Sequence, residues 1–463
     1  MSRVWIKNPR ASFDGERANT LLGGLVIENQ SISEVLPQNQ EPTEPVDEIF
    51  DASQLVLTPG LINTHHHFYQ TLTRAHRNAL NKPLFAWLTS LYPVWANLTN
   101  DMIEVSTELA LCEMMLSGCT TTSDHHYVFS DNLDEAIDRQ VSVAARLGMR
   151  VVLTRGSMSL GQSTGGLPPD KVVQSEQQIL NDSIRLINQY HDPSTHAMCQ
   201  IALAPCSPFS VTADLMRETA ALAKSHNVLL HTHLAETNDE TQFCVDQFGL
   251  RPVDYMESLN WLTDNTWFAH GIHFDSEEIR RLGKAGCAIA HCPSSNMTLA
   301  SGICPVNELE NAGVSVGIGV DGSASNDCSN LAQEVRQALL IQRLSQGLDQ
   351  GLRQQASDLS LASHVDVLRW ATQGGADVFH RPELGRLKTG AAADLALFSL
   401  DELRFSGSDD ALAALVLCGV HTADAVMVNG DWRVQHGHLV DVDLDQLKSR
   451  HNSLANNLWQ ACL

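Results

Sequence analysis

Short apolar runs alternate with amphipathic stretches along most of the chain, from about residue 56 to residue 320. The runs predict buried strands, and stretches such as 212–226 and 276–285, with apolar positions at helical spacing, predict helices. The predicted strands are 56–63, 120–126, 150–155, 199–204, 227–233, 266–270, 288–291 and 315–320. Eight strands with helical crossovers indicate a closed (β/α)8 TIM-like barrel, whose functional groups gather at the C-terminal strand ends.

Both ends of the chain have a different texture, with short β-prone runs between Gly, Asn and Pro. Examples are 4–7 and 24–27 near the start and, after about Gly385, two apolar runs separated by the turn pair Asn429 and Gly430. The shared texture predicts one small β-sandwich domain built from 1–58 and 376–463, with a C-terminal helix. Residues 59–375 are then the barrel domain.

Composition narrows the class of protein. The chain has 463 residues, 43% of them hydrophobic, and a formal net charge of -24, which argues against nucleic acid or an anionic membrane as partner. Its eleven cysteines form no CxxC pair, and no apolar run has the length of a signal peptide or a membrane span. These features predict a cytoplasmic protein that acts on a small molecule.

Histidine and aspartate end several of the predicted strands. In PGLINTHHH, side-chain alternation places His65 and His67 on one side and His66 on the other. Further candidates are His231, His233 and Glu236 in HTHLAET, His270 in AHGIH, and Asp321 in GIGVDGSASND. A barrel brings these ends around one pocket. Three histidines, one aspartate and an open position for water are typical of a catalytic metal site.

The motifs PGLINTHHH, HTHLAET, AHGIHF, HCPSSNMTLASG and VGIGVDGSASND, in this order, resemble the amidohydrolase superfamily over essentially the whole chain. The closest branch holds the cytosine, guanine and S-adenosylhomocysteine deaminases and the triazine hydrolases. The resemblance implies one divalent metal, zinc or alternatively Fe2+, on His65, His67, His233 and Asp321. A second metal is not implied, because QIALAPCSPFS lacks the lysine or glutamate of binuclear members. Asn63 replaces the aspartate of many relatives but is not a ligand position.

The implied reaction is hydrolytic removal of an amino group from a heterocycle by a metal-activated water. Asp321 and His270 are expected to orient the water and take its proton. Glu236 is expected to protonate a ring nitrogen and then the departing ammonia. We expect the Glu236→Gln variant to keep the metal and lose nearly all turnover.

Four residues are candidates for substrate binding. Gln70 occupies a position where guanine and cytosine deaminases also carry glutamine, and Trp87 resembles a pocket-lining position. Cys206 replaces the histidine of S-adenosylhomocysteine deaminases, which argues against that nucleoside. Arg155 is a candidate for an exocyclic oxygen, with a structural salt bridge as the equal alternative.

Several substrates remain open. LTRGSMSLG, GLPPD and APCSPFSVT resemble the 8-oxoguanine deaminases, which implies conversion of 8-oxoguanine and water to urate and ammonia. The alternatives are an N-alkylaminohydrolase of hydroxylated triazines and a guanine deaminase, the latter weakened because SPF at 207–209 replaces its PRF signature. A catalytically inactive structural relative is a remote alternative. We expect a homo-oligomer, as is common in the family.

Overall fold

The computed structural model describes residues 3–130, 133–353 and 361–461. The strands of these residues, in chain order β1 to β20, are Arg3–Lys7, Ala11–Ser12, Gly24–Glu28, Ser31–Leu36, Glu48–Asp51, Leu55–Pro59, Leu61–Asn63, His66–His67, Cys119–His126, Arg150–Ser157, Cys199–Pro205, Leu230–Leu234, Thr266–His270, Ala288–His291, Ser315–Ile318, Asp321–Gly322, Leu395–Ser399, Ala425–Val428, Asp431–Gln435 and His438–Leu439. The helices, α1 to α15, are Leu84–Trp95, Asn100–Leu116, Ala136–Leu147, Glu176–Tyr190, Ala213–His226, Asn238–Phe248, Pro252–Ser258, Ser276–Ala285, Pro293–Thr298, Val306–Asn311, Leu331–Arg353, His364–Arg369, Gly375–Val378, Ala411–Ala414 and Leu444–Gln460.

The centre of the molecule is a closed barrel of eight parallel strands in the order β10, β11, β12, β13, β14, β15, β7 and β9. This confirms the predicted (β/α)8 barrel. Most predicted strands agree with the observed ones to within two residues. The differences lie in the first and fifth strands.

The predicted strand at 56–63 is in fact two strands that belong to different sheets. Leu55–Pro59 pairs with Leu395–Ser399 outside the barrel, whereas Leu61–Asn63 pairs with Cys119–His126 inside it. The chain changes sheets at Gly60, where a Cβ atom would lie 2.1 Å from the Thr120 hydroxyl oxygen. Only glycine therefore fits this crossing.

The fifth barrel strand begins at Leu230 and not, as predicted, at residue 227. Asn227 instead ends helix α5 in the left-handed conformation, with φ of 54° and its N–H donating to the Ala223 carbonyl. An asparagine in this position closes the helix C-terminus.

Strands from both chain ends form two further sheets, in the orders β4-β3-β1-β5 and β2-β6-β17-β18-β19-β20. They share an apolar core that includes Ile6, Leu25, Leu57, Leu395 and Met427. The predicted hairpin at Asn429 and Gly430 is confirmed, because β18 and β19 pair antiparallel across it. The boundaries of the two predicted domains stay a prediction.

Two contacts tie the outer elements to the barrel. Arg150, at the start of β10, forms a buried ion pair of 3.0 Å with Asp394, just before β17. The C-terminal helix α15 packs on the segment after the first barrel strand, where Trp459 Nε1 donates to the Leu72 carbonyl at 2.9 Å. This segment carries Gln70 and is thereby fixed.

In the described part of the chain, no helix has both the length and the apolar character needed to span a membrane.

Candidate functional site

Four side chains at the C-terminal strand ends converge on one point, and we call them the ligand wall: His65, His67, His233 and Asp321. The Nε2 atoms of His67 and His233 lie 3.2 Å apart. Asp321 Oδ1 lies 3.4 Å from His65 Nε2 and 3.2 Å from His67 Nε2. Ligand atoms about 2.1 Å from a tetrahedral metal ion are separated by about 3.4 Å. The three measured separations are close to this value. His65, His67 and His233 also belong to one group of possible ligand atoms that lie within 4.8 Å of one another, and His65 and Asp321 belong to a second such group.

A short parallel pairing brings Asp321 to the histidines. Asp321–Gly322 pairs with His66–His67, and the Asp321 N–H donates to the His65 carbonyl at 3.0 Å. Asp321 has φ of 62° and His270 φ of 73°. Left-handed backbone in non-glycine residues is a strained conformation that clusters at functional sites.

The second ring nitrogens of two ligand histidines are fixed by backbone carbonyls. His67 Nδ1 donates to the His125 carbonyl and His233 Nδ1 to the Cys206 carbonyl, each at 2.7 Å. A carbonyl only accepts, so Nδ1 carries the hydrogen and Nε2 keeps its lone pair for a metal.

His65 is oriented through a second histidine. His231 Nδ1 donates to the Trp267 carbonyl at 2.9 Å, which leaves His231 Nε2 as the acceptor for His65 Nδ1 at 2.8 Å. His65 Nε2 is buried and makes no hydrogen bond with the protein. Its free lone pair fits a metal ligand. His231, which the sequence grouped with His233, thus orients His65 and is not itself in the ligand wall.

Electrostatics favour the charge states that bind a cation. Burial lowers the pKa values of His65, His231 and His233 well below the usual histidine value, so the rings are neutral. Although burial alone would raise the pKa of Asp321, the adjacent His65 and His67 side chains hold it well below its usual value. Neutral imidazoles and an ionised carboxylate are the forms that coordinate metals.

Glu236 and His270 lie beside this set. Glu236 Oε2 is 3.5 Å from His270 Nε2, which is 3.8 Å from Asp321 Oδ2. Burial raises the pKa of Glu236. Burial would lower the pKa of His270, but the carboxylates of Glu236 and Asp321 raise it above its usual value. The pair is suited to hold and move a proton near neutral pH.

Neighbouring side chains hold this acid and base in place. His270 Nδ1 lies 2.9 Å from Asn296 Oδ1, and the Ser301 hydroxyl donates to Glu236 Oε1 at 3.4 Å. The Glu240 carboxylate accepts the backbone N–H groups of Ala235 and Glu236 at 2.8 and 2.9 Å. These two hydrogen bonds to Glu240 therefore fix the turn that carries Glu236.

A small enclosed cavity adjoins the ligand wall. It is lined by Glu236, His270, Gln70 and Cys206, and on one side by residues of α1 that we call the helix wall: Leu84, Trp87, Leu88 and Tyr92. Its volume is about 30 Å³, which suits water and is too small for a heterocycle. Substrate entry therefore requires side chains or α1 to move.

Three of the four predicted substrate-binding residues, Gln70, Trp87 and Cys206, line this cavity. Arg155 does not. Its Nε donates to Asp182 at 2.7 Å and its Nη2 to Gln174 at 2.8 Å, while the guanidinium stacks on Phe129 at 3.8 Å. The structural salt bridge is the interpretation that agrees with the geometry, and the hypothesis of a substrate contact at Arg155 is corrected.

Sequence reasoning missed His125, at the end of β9, which belongs with His65, His67 and His233 to one buried group of possible metal ligands. Its ring stacks on His233 with centroids 4.7 Å apart, and its Nε2 lies 2.9 Å from the Ala204 carbonyl. The run DHH at a predicted strand end was an available signal. Asp124, in the same run, accepts the Phe68 N–H at 2.5 Å and steadies the backbone beside His67.

The match to known proteins agrees with this geometry. The model of the amidohydrolase family matches residues 56–433, and the chain belongs to this family.

Within the family, the chain is 56% identical to 8-oxoguanine deaminase from Pseudomonas aeruginosa, with 99% of each chain covered. It is 37% identical to hydroxydechloroatrazine ethylaminohydrolase from Pseudomonas sp. strain ADP, over 85% of this chain and 82% of that protein. Among solved structures, atrazine chlorohydrolase from Arthrobacter aurescens TC1 complexed with zinc has a TM-score of 0.90 at 30% identity, covering 98% and 100% of the two chains.

Proposed function

We propose that this protein is a metal-dependent aminohydrolase that converts 8-oxoguanine and water to urate and ammonia. The observation that carries the reaction type is the position of His270 between Glu236 and Asp321, beside the buried histidines His65, His67 and His233. The choice of substrate is supported by 56% identity over nearly the full length to an 8-oxoguanine deaminase.

His65, His67, His233 and Asp321 would hold one divalent ion, zinc by analogy with the zinc complex of the related chlorohydrolase, with Fe2+ as the alternative. The fit rests on His65 Nε2, which is buried without a hydrogen bond in a set of neutral nitrogens and one carboxylate. When bound, such an ion lowers the pKa of a water molecule from 15.7 to about 7.

The protons are handled by three side chains. Asp321 and His270 orient the attacking water and accept its proton. Glu236, whose pKa is raised by burial, donates a proton to the ring nitrogen next to the amino-bearing carbon. It regains a proton from His270, whose Nε2 lies 3.5 Å away, and passes this proton to the amino group, which leaves as ammonia. The added hydroxyl group then gives its own proton back to Glu236. Water and substrate thus supply all the atoms of urate and ammonia.

Gln70 is the first polar contact that we assign to the substrate. Its Oε1 accepts the Ala324 N–H at 3.4 Å, so its amide nitrogen is free of protein partners and offers N–H donors. Trp87 Nε1 donates to the Ala324 carbonyl at 3.2 Å, which leaves its ring to cover the flat heterocycle. Cys206 lines the same cavity.

The second candidate is cleavage of an alkylamino group from a hydroxylated triazine, favoured by the 37% identity to the ethylaminohydrolase. Guanine is a third possible substrate. We further propose a cytoplasmic location, supported by ten free thiols in the described chain. The homo-oligomer stays a prediction.

A side-by-side assay of ammonia release tests the substrate. The purified, metal-loaded protein is given 8-oxoguanine, guanine, isocytosine and a hydroxylated alkylamino-triazine, with alkylamine release measured for the last. We expect the highest kcat/KM for 8-oxoguanine, with urate as product. A higher value for the triazine would overturn the substrate and leave the metal site intact, whereas no turnover of any substrate would revive the inactive relative.

A further inference from the structure

Tyr92 places an unused hydroxyl at the candidate active site. It lies on α1, is 1% exposed, and lines the same cavity as Glu236 and Cys206. Its hydroxyl oxygen is buried and has no hydrogen-bond partner. A buried hydroxyl without a partner is unfavourable, because no hydrogen bond replaces the one that it makes with water. Such a group in an active-site wall therefore points to a partner that arrives with the ligand.

The same helix satisfies its other ring donors within the protein. Trp87 Nε1 donates to the Ala324 carbonyl and Trp95 Nε1 to the Thr73 hydroxyl, both at 3.2 Å. The unpartnered state of Tyr92 is thus not a general feature of α1. Burial raises the pKa of Tyr92 well above its usual value, so the group remains an O–H donor.

Gln70 and Tyr92 reach the cavity from different elements. Gln70 belongs to the segment directly after His67, and its amide packs against Gly322, the neighbour of Asp321. It therefore lies at the metal end, where the reacting six-membered ring must sit. Tyr92 comes from a helix outside the barrel strands and lines the same cavity from that helix.

We propose that the Tyr92 hydroxyl donates a hydrogen bond to the exocyclic oxygen on the five-membered ring of an 8-oxopurine, while Gln70 binds the oxygen of the six-membered ring. This inference rests on the proposed function. Guanine carries C8–H instead of the second oxygen, so it leaves the Tyr92 hydroxyl without a partner. Tyr92 is thus a determinant of specificity for substrates with an exocyclic oxygen at C8.

The Tyr92→Phe variant tests the assignment, because it removes only the hydroxyl. We expect kcat/KM for 8-oxoguanine to fall about tenfold, while kcat/KM for guanine and isocytosine changes less than about twofold. The matched control is Tyr255→Phe. Tyr255 is also buried with an unpartnered hydroxyl, but it stacks on Phe248 with ring centroids 4.0 Å apart and does not line the cavity. The Tyr255→Phe variant should leave kcat/KM unchanged for 8-oxoguanine, guanine and isocytosine.

A binding measurement separates recognition from folding. Urate carries an oxygen at C8 and xanthine does not, so inhibition of isocytosine turnover by urate should weaken about tenfold in Tyr92→Phe while inhibition by xanthine stays constant. Equal losses for 8-oxoguanine and guanine, or no loss for either, would overturn the role of Tyr92. If the parent does not deaminate 8-oxoguanine, the proposed function fails, and the Tyr92 assignment fails with it. If the parent does but the ratio is unchanged in the variant, only the Tyr92 assignment fails.

Discussion

The ligand wall and the helix wall face one cavity but are organised in opposite ways. In the ligand wall, His65, His67 and His233 each have Nδ1 bound at 2.7–2.8 Å, which aims Nε2 at a common point. In the helix wall, the Tyr92 hydroxyl has no partner, and apolar side chains close the cavity to about 30 Å³. The ligand wall is therefore preorganised, whereas the helix wall holds a hydroxyl group for which the described protein supplies no partner.

The largest effect should come from the proton donor between the two walls. We expect Glu236→Gln to lower kcat by a factor of about 10² to 10⁴, because glutamine keeps the shape but cannot carry the proton. Zinc content, measured by elemental analysis, should stay at the parent value, since Glu236 is outside the ligand set.

The neighbouring acid supplies the control for this variant. Glu240→Gln alters a buried carboxylate that holds the same turn by accepting backbone N–H groups. The glutamine side-chain oxygen can still accept one of these bonds, so the kcat loss should be much smaller. Turnover of Glu236→Gln equal to the parent, in metal-replete protein, would contradict the proton-transfer role.

The next largest effect should be a loss of zinc affinity when the hydrogen bond that orients His65 is removed. The His231 ring stacks on Trp267 with ring centroids 4.2 Å apart. The His231→Phe variant keeps a flat ring in this position but removes the nitrogen that accepts the hydrogen bond from His65 Nδ1. Loss of such an outer hydrogen bond weakens metal binding about 10–100-fold. Competition with a chelator measures this change in the dissociation constant for zinc.

His291→Phe is the matched control for the histidine change. His291 is buried at the end of β14, and its ring nitrogens make no hydrogen bonds. We expect its zinc affinity to stay near that of the parent. Equal zinc affinities of His231→Phe and the parent would show that His65 is oriented without His231.

The two walls also differ in how far the sequence predicts them. Alternation along strands and the rule that a barrel gathers its strand ends predict a candidate set that holds His65, His67, His233 and Asp321. That set also holds His231, and the family resemblance is what separates the four expected ligands from it. Tyr92 does not, because the place of α1 depends on packing that no local pattern records. The sequence left Arg155 open between a substrate contact and a structural salt bridge for a related reason, since alternation does not reveal that Asp182 and Gln174 hold its guanidinium.

A smaller effect is expected at Gln70, the contact that we assign to 8-oxoguanine and guanine alike. Gln70→Ala should lower kcat/KM about tenfold for 8-oxoguanine and guanine alike, because both carry the oxygen on the six-membered ring and lose one hydrogen bond of about 1.4 kcal/mol. Steady-state ammonia release with both purines measures it. A selective loss for 8-oxoguanine would reverse the roles assigned to Gln70 and Tyr92.

The smallest functional effect should follow from Arg155, which lies outside both walls. Arg155→Met removes the ion pair with Asp182 and the hydrogen bond to Gln174. Asp182 keeps Arg185 as a partner at 2.9 Å, so we expect a loss of about 3 kcal/mol in the free energy of unfolding, at the low end for a broken buried pair. Urea unfolding measures this loss.

The ratio of kcat/KM values for 8-oxoguanine and guanine should stay within about twofold of the parent in Arg155→Met, because a side chain held in the protein has no contact with the ring to lose. A shift in that ratio as large as the one expected for Tyr92→Phe would show that Arg155 contacts the substrate. Arg155 would then be a recognition residue and not a purely structural one.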